Sequence, residues 1–537
     1  MNQPEKLSFA TKLTFGVGDL GPAMTANLLV FFLLFFFTNV AGLPPGLAGT
    51  ILAVGKVSDA INDPIAGILS DRTKTRWGRR LPWIICGAIP FGILFSLQWI
   101  VPRFSDDVST NNWGLFIYYC AIAILFNLAY TVVNLPYTAL TPELTRDYNE
   151  RTNLNSFRFA FSIGGSIFSL LLASLIFALI EDPLQQFRVL GICSSVVAAI
   201  ALLWCGLGLQ ERGREPPLSP LWKKRLGSLL GLVGLSLVAV AAVTWSKGGF
   251  SLGLVGIELA IAGFMLRRIQ PDPHIKQILI ETDAEPISLK SQFQIAFRNR
   301  PFLYVIGIYL CSWLGVQLTA SILIYFVVAW MGLPENAFPQ VAIAVQGTAL
   351  GMLFVWQKIS QKWGKKLTFF VGTCFWIVAQ MGLFFLQPGQ TGLMYGLAIV
   401  AGTGVSVAYL IPWSMVPDVI ELDELETGQR REGVFYGFMV LLQKLGLAIA
   451  LFLVGILLDW AQFQTQLPGE PVPEQPASAL LAIRYLVGPL PVVILMVGLA
   501  IAYFYPLTQQ RHAEICQALV ARKNNPAAET GKTPSDL

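Results

Sequence analysis

Runs of about 20 apolar residues recur along this chain, each long enough to cross the ~30 Å hydrocarbon core of a bilayer as a helix. Lipid offers nothing to satisfy a free backbone N–H or C=O, so such runs are confined to helices. They fall near residues 12–39, 46–70, 81–101, 113–140, 155–180 and 187–209, then 302–330, 337–357, 367–387, 391–416, 434–459 and 478–505. Soluble domains carry about 25% charged residues, whereas this chain has 13%, with 54% hydrophobic. The expectation is an all-α membrane protein, packed helix on helix and against the lipid bilayer. The formal net charge of +5 requires neither an acidic partner nor a nucleic acid, because the basic residues cluster in short loops. Cys86, Cys120, Cys193, Cys205, Cys311, Cys374 and Cys516 stand singly. No spacing among them suggests a metal site or a disulfide framework, and small apolar packing is expected. The polar N-terminus lacks a cleavable signal pattern, so the first helix is expected to stay as an anchor.

The loops alternate in charge. One set holds Arg72, Lys74, Arg76, Arg79 and Arg80, then Arg146 and Arg151, then Arg212, Arg214, Lys223, Lys224 and Arg225. It continues with Lys358, Lys362, Lys365, Lys366, Arg430 and Arg431, while the opposite set holds Arg103, Lys247 and little else. Positive loops stay inside, so both termini are expected in the cytoplasm and the protein in the plasma (inner) membrane. Two further apolar runs, 226–245 and 250–266, are joined by Ser246-Lys247-Gly248-Gly249 and flanked by Lys223-Lys224-Arg225 and Arg267-Arg268. Basic outer ends and a glycine turn fit a helical hairpin over 226–266 inserted in the membrane, which gives 14 spans. The other reading is an apolar hairpin resting on the inner surface. The expected organisation is a six-helix bundle over 1–210, a linker with the hairpin over 211–300, a second six-helix bundle over 301–506 and a cytoplasmic tail over 507–537. The polar end of that tail is expected to be disordered.

The two halves echo each other. Ser70-Asp71-Arg72 through Trp77-Gly78-Arg79-Arg80-Leu81 is repeated as Ser360-Gln361-Lys362-Trp363-Gly364-Lys365-Lys366-Leu367. Pro136-Tyr137-Thr138-Ala139-Leu140-Thr141-Pro142-Glu143 is repeated, one residue shorter, as Pro412-Trp413-Ser414-Met415-Val416-Pro417-Asp418. A duplicated six-helix unit is expected, of the kind whose halves rock about a midplane site. The basic loops have two readings: orientation signals alone, or a cytoplasmic gate of several ion pairs drawn from Asp71, Arg72, Glu143, Arg151, Asp418, Glu421 and Arg430. Exposed pairs are weak singly, so a gate needs several acting together.

Charge at bilayer depth costs ~2.5–3.5 kcal/mol per residue on insertion scales, which makes an acid inside an apolar run a functional candidate. Asp19 lies in the first run, and Asp59 and Asp63 in the second. Asp59, Asn62 and Asp63 are spaced i, i+3, i+4 and share a helical face about 100° wide. Two carboxylates and an amide aimed one way suit an ion or a proton. Two close carboxylates in a low-dielectric cavity cannot both stay ionised unless a cation or proton joins them. The alternative is an internal salt bridge with Lys56, one turn before Asp59. His274 and His512 both lie outside the runs, so no histidine relay is available for proton coupling.

The stretch from Gly67-Ile68-Leu69-Ser70-Asp71-Arg72 to Gly78-Arg79-Arg80 resembles the signature between the second and third helices of the major facilitator superfamily. More narrowly, Asp59-Ala60-Ile61-Asn62-Asp63-Pro64 is similar to the helix-two motif of the glycoside–pentoside–hexuronide:cation symporters, the family of the melibiose carrier. So are Thr38-Asn39-Val40-Ala41-Gly42-Leu43, Pro417-Asp418 with Thr427-Gly428-Gln429-Arg430 and Glu432-Gly433, and Lys444. The resemblance spans nearly the whole length except 226–268. It implies the major facilitator fold, two six-helix bundles, and a coupling-cation site formed by the helix-two acids and asparagine with a threonine on helix four. Those positions are Asp59, Asn62, Asp63 and Thr131, an all-oxygen set suited to a small hard cation. The implied cation is Na+, with H+ or Li+ as alternatives, and no other metal or cofactor is expected. On the solute side the acids that clamp galactosides are replaced by Ala23 and Asn134, with Asp19 one turn before Ala23. Arg158, Tyr409 and Lys444 fall at or near positions that the resemblance places by the sugar, while Tyr137 and Trp413 flank the repeated prolines. The solute residues expected are therefore Asp19, Asn134, Tyr137, Arg158, Tyr409, Trp413 and Lys444, the aromatics having helix packing as their plainer reading.

The function so implied is secondary active symport of Na+ with a sugar or glycoside by alternating access, in a monomer. A lysolipid carrier of the same family is the runner-up; Phe31, Phe32, Phe35, Phe36 and Phe37 tolerate it, or simply face lipid. A sensor that kept the fold without transport is a third reading. A membrane enzyme is not expected, because no nucleophile–base pair, metal cluster or phosphate loop stands out.

Overall fold

The computed structural model describes residues 7–145, 148–211, 295–428, 431–465, 473–507 and 509–524, with 214, 225, 228 and 232. The hairpin expected over 226–266, most of the 211–300 linker and the end of the tail lie outside the described residues, so the 14-span count is not addressed. Among the described residues the architecture is helical, with one isolated bridge between Thr75 and Gly78. Ten helices among the described residues are long and apolar enough to cross a membrane. The expected all-α membrane architecture is the observed one.

The first span is built from α1 (Phe9–Val17) and α2 (Leu20–Leu28), continued by π-helical turns at Leu29–Leu33 and Phe36–Val40. Then come α3 (Pro45–Arg72), α4 (Leu81–Leu97), α5 (Val108–Thr138), the short α6 (Thr141–Leu144), α7 (Tyr148–Leu179) and α8 (Pro183–Gly208). The later helices are α9 (Arg300–Tyr325, with a π turn at Phe326–Trp330), α10 (Ala337–Trp363), α11 (Lys365–Phe385), α12 (Thr391–Thr427) and α13 (Glu432–Trp460). Gly488 splits the last span into α14 (Ala477–Val487) and α15 (Pro489–Phe504), and α16 (Gln509–Asn524) follows. Local chemistry sets several ends. Asp107 and Asp182 accept from the first free N–H groups of α5 and α8, as N-caps do. Gly428, with φ 71°, closes α12 in the left-handed conformation that glycine adopts without strain. Helix α12 runs eleven residues past its apolar stretch because Asp418, Glu421, Asp423, Glu424 and Glu426 continue the helix beyond the point where hydropathy falls.

The chain forms two compact units: Met1–Thr282 with Ala320–Ile343 and Leu451–Ile483, and Asp283–Thr319 with Ala344–Ala450 and Arg484–Leu537. In the first, α3 packs on α5, α4 on α5 and α8, and α2 on α7 and α8. Its core holds an aromatic cluster in which Phe32, Phe35 and Phe36 meet Phe187, and Phe37 meets Tyr119. Trp99 stacks on Phe187 with ring centroids 5.8 Å apart. Such pairs add ~0.5–1.5 kcal/mol each beyond area burial. This corrects the lipid-facing reading of the span-one phenylalanines: Phe31, Phe32, Phe35, Phe36 and Phe37 are all buried. In the second unit the core joins Phe302, Val305 and Tyr309 of α9, Met415 and Val419 of α12, and Phe435 and Met439 of α13.

The echo between halves extends to backbone geometry. The π turn Phe36–Val40 ends at Gly42 (φ 74°) and the π turn Phe326–Trp330 at Gly332 (φ 67°). Each is followed by a leucine and a proline. Trp77-Gly78 and Trp363-Gly364 likewise both place glycine at positive φ, 114° and 81°.

Candidate functional site

Helix α3 is amphipathic in a way that hydropathy alone does not reveal. Val57, Ile61, Ile65 and Leu69 form an exposed apolar stripe, while Asp59 lies 1% exposed on the opposite face, toward α5. Gly55 lets the two helices close up, since a Cβ there would lie 3.0 Å from the Asn127 amide and 3.1 Å from Ala123. One helical turn on from Asn127, Thr131 of α5 is also buried. Its hydroxyl is 2.8 Å from Asp59 Oδ1 and 3.1 Å from Asp63 Oδ1.

That arrangement has a direct chemical consequence. A threonine hydroxyl carries one proton and can donate to one acceptor at a time. Both acids lie within hydrogen-bond distance of it, so only one of them can receive its proton at a time. The Asn62 amide donates to Ser58 Oγ at 3.3 Å. Lys56 donates to Asn127 Oδ1 at 3.2 Å and lies over the Tyr130 ring at 6.0 Å.

A second polar group lies in the same unit. Arg158 of α7 donates to Asp19 Oδ2 at 3.1 Å, where the chain breaks between α1 and α2. Its guanidinium sits 5.8 Å from the centre of the Tyr137 ring, a cation–π distance. Tyr137 is fixed from behind, its hydroxyl donating to Phe15 O at 2.7 Å and its ring stacked on Phe15 at 5.1 Å. Asn134 is half-buried one turn before Tyr137 on α5. Tyr130, not singled out from sequence, lies within electrostatic reach of Asp19, Asp59, Asp63 and Arg158 alike.

In the second unit Tyr409 and Trp413 belong to a run of rings contributed by three helices. Tyr409 meets Trp313 edge-on at 5.8 Å, Trp313 stacks with Tyr309 at 6.0 Å, and Tyr309 meets Trp413 at 5.8 Å. Trp413 stacks in turn on Tyr436 at 6.1 Å. Trp313 Nε1 is buried without a hydrogen-bond partner among the described residues. Lys444 is half-buried on α13. Tyr309, Trp313 and Tyr436 were invisible as a group in the sequence, because ring-to-ring contact between helices leaves no spacing signal.

Of the gate candidates, Glu143 accepts from Arg79 Nε at 2.8 Å, and Arg72 is exposed. Asp418 receives Lys365 Nζ at 2.6 and 2.7 Å. The side chains of Asp71 and Arg151, and all of Arg430, lie outside the described residues. Three partnerships were missed from sequence. Glu211 accepts from the backbone N–H groups of Arg79, Arg80 and Leu81 at 2.9, 2.7 and 2.9 Å. Arg431 clasps Asp423, with Nε–Oδ2 at 2.9 Å, and Lys12 pairs with Glu150 at 3.0 Å.

Comparison with known proteins gives a consistent neighbourhood. The model of a family described as MFS/sugar transport protein matches residues 14–265 and 222–509. An uncharacterized symporter of Synechocystis sp. is 58% identical over 97% of this chain and 98% of its own. The sodium-dependent lysophosphatidylcholine symporter 1-A of Danio rerio is 26% identical over 94% of this chain and 87% of its own. Among solved structures, the inward open conformation of the xylose transporter XylE from E. coli superposes with a TM-score of 0.53 at 14% identity, covering 95% of this chain and 98% of that one.

Proposed function

This chain belongs to the MFS/sugar transport protein family and is a symporter of the major facilitator type, and from that premise we propose that it couples inward movement of Na+ to uptake of a sugar or glycoside by alternating access. The single observation that supports the coupling role is the pair of acids, Asp59 and Asp63, gathered on one buried hydroxyl, Thr131. An all-oxygen set of this kind suits a small hard cation. Binding of that cation changes the local charge of α3 and α5, and a ligand that interacts differently with two conformations shifts the balance between them. The narrower assignment, to the glycoside–pentoside–hexuronide:cation symporters, rests on the motif around Asp59, Asn62 and Asp63.

The sugar reading draws on the ring series Tyr409, Trp313, Tyr309, Trp413, Tyr436, whose indole and phenol groups match a hydroxylated, partly apolar solute. Within the first unit, the Asp19–Arg158 pair forms a separate polar group, with Asn134 half-buried on α5. A lysolipid is the second reading, favoured by the full-length similarity to a lysophosphatidylcholine symporter. In this reading the protein works as a monomer in the plasma (inner) membrane, and the placement of the basic loops supports cytoplasmic termini.

Uptake into proteoliposomes tests all of this at once, with a panel of sugars and lysolipids and with or without an imposed Na+ gradient. Gradient-driven accumulation of a sugar is expected, lost in Asp59→Cys and Asp63→Cys with folding and membrane insertion retained. Normal concentrative uptake by both variants would end the assignment of these acids to coupling. Accumulation of lysolipid alone would move the substrate to the second reading, and binding without counterflow would point to a sensor.

A further inference from the structure

Helix α16 carries His512 and Cys516 four residues apart, on one face of the helix. That face meets the polar end of α12 within the second unit. His512 Nε2 is 2.7 Å from Glu421 Oε2 and 3.3 Å from Asp418 Oδ1. Cys516 Sγ is 3.2 Å from the same Glu421 oxygen and 3.6 Å from His512 Nε2. One nitrogen, one sulfur and one carboxylate oxygen thus lie within 4.8 Å of one another. A zinc ion bound at ordinary Zn–N, Zn–O and Zn–S lengths holds its ligand atoms apart by about 3.3 Å (N to O) and about 3.5 Å (to sulfur). The two separations to sulfur, 3.2 and 3.6 Å, lie on either side of that edge, while the 2.7 Å N–O contact is a hydrogen-bond distance that has to open by about 0.6 Å to admit the ion.

We propose that Glu421, His512 and Cys516 form a binding site for a borderline-soft divalent transition metal, of the Zn2+ class, that fastens α16 to the end of α12. The mixed N, S, O set selects against Na+, Mg2+ and Ca2+, which take oxygen ligands, and favours Zn2+, Co2+ or Ni2+. Asp418 or a water supplies the fourth position; Lys365 already neutralises Asp418 on its other side. Metal takes the place of the hydrogen-bond contacts that join His512 and Cys516 to Glu421. Burial and Glu421 push the Cys516 thiol up to about 11, so binding releases that proton and tightens as pH rises.

The test uses the purified full-length protein in detergent, stripped with a chelator and titrated with Co2+. About one equivalent is expected, with tetrahedral cobalt bands and a thiolate-to-cobalt charge-transfer absorption. Cys516→Ser should abolish the charge-transfer band, and His512→Ala should weaken binding at least about tenfold, the smallest loss seen even for outer-shell partners. Zn2+ should raise the unfolding temperature of the wild type and leave the Cys516→Ser/His512→Ala double variant unmoved. The same unfolding temperature for wild type and variants without metal establishes that the substitutions spare the fold. A charge-transfer band that survives Cys516→Ser assigns the cobalt to another cysteine and overturns the proposal. So does a double variant that titrates like the wild type. Neither result touches the uptake assay, which is read without added transition metal.

Discussion

Thr131 shows how much one hydroxyl can decide. It is the only group of this trio able to donate a hydrogen bond when both acids are ionised, and it contacts both. Thr131→Val keeps the shape and removes the donor and acceptor. The expected outcome is a rise of roughly tenfold or more in the Na+ concentration that half-saturates uptake, about 1.4 kcal/mol. Thr131→Ser should stay near wild type, and equal Na+ dependence in both variants would remove Thr131 from the site. Glu335 offers a pH-dependent counterpart in the turn before α10. Its Oε2 is buried with no hydrogen-bond partner among the described residues, and burial pushes the carboxyl up to about 7. An acid whose pKa is raised on folding lends full stability below its unfolded value near 4.5, and loses it as pH climbs to about 7. Glu335→Gln should therefore raise the unfolding temperature at pH 8 and make no difference at pH 4, by an amount corresponding to at most ~3 kcal/mol. Differential scanning fluorimetry at the two pH values reads this directly.

Among the elements, α4 is the one whose start depends most on a distant residue. Glu211, just after α8, turns its carboxylate onto three successive N–H groups at the α4 N-terminus, where negative charge also complements the helix dipole. Gly78 makes room for it: a Cβ there would lie 2.1 Å from the Glu211 carboxyl, at a φ of 114°. Glu211→Ala leaves buried donors unsatisfied and should cost about 1–3 kcal/mol, seen as a lower unfolding temperature. Gly78→Ala should be as severe, through both the clash and the backbone strain; an unchanged unfolding temperature in Glu211→Ala would show that the carboxylate caps nothing of consequence. The glycine was legible in the sequence as part of a repeated Trp-Gly loop, but the acid that fills its place was not. Similarly, the first span was legible as one apolar run, yet its break at Gly18-Asp19 and its two π turns were not, nor was the close approach there: a Cβ on Gly18 would lie 2.4 Å from the Tyr137 ring.

At the scale of the whole molecule, the duplicated pattern has a physical echo in each half. A π turn, a left-handed glycine, a leucine and a proline close the first span, and the same series follows α9. The basic Trp-Gly loops also repeat, and each is tied down locally, Arg79 by Glu143 and Lys365 by Asp418. Symport requires that solute and cation each bias the same conformational equilibrium, since the coupling free energy between two sites is reciprocal. Within the first unit, Tyr130 stands in electrostatic reach of both the Asp59–Asp63 group and the Asp19–Arg158 pair.

Among the described residues, period and composition were enough to place most of the long apolar helices within a few residues, because a bilayer imposes length and apolarity on each run separately. The same local reasoning put Asp59, Asn62 and Asp63 on one helical face, where Asp59 is buried and Asn62 and Asp63 are half-buried. Which groups those acids meet was a different matter. Thr131 beside Asp59, Arg158 on Asp19, Glu211 over the α4 N-terminus and Cys516 against Glu421 all join residues far apart in the chain. The span-one phenylalanines, equally suited to lipid by composition, are buried because Trp99, Tyr119 and Phe187 close over them. A sequence states what each helix must hide or expose; only packing chooses the partner, because that choice depends on helix separations of a few ångströms that no single run encodes.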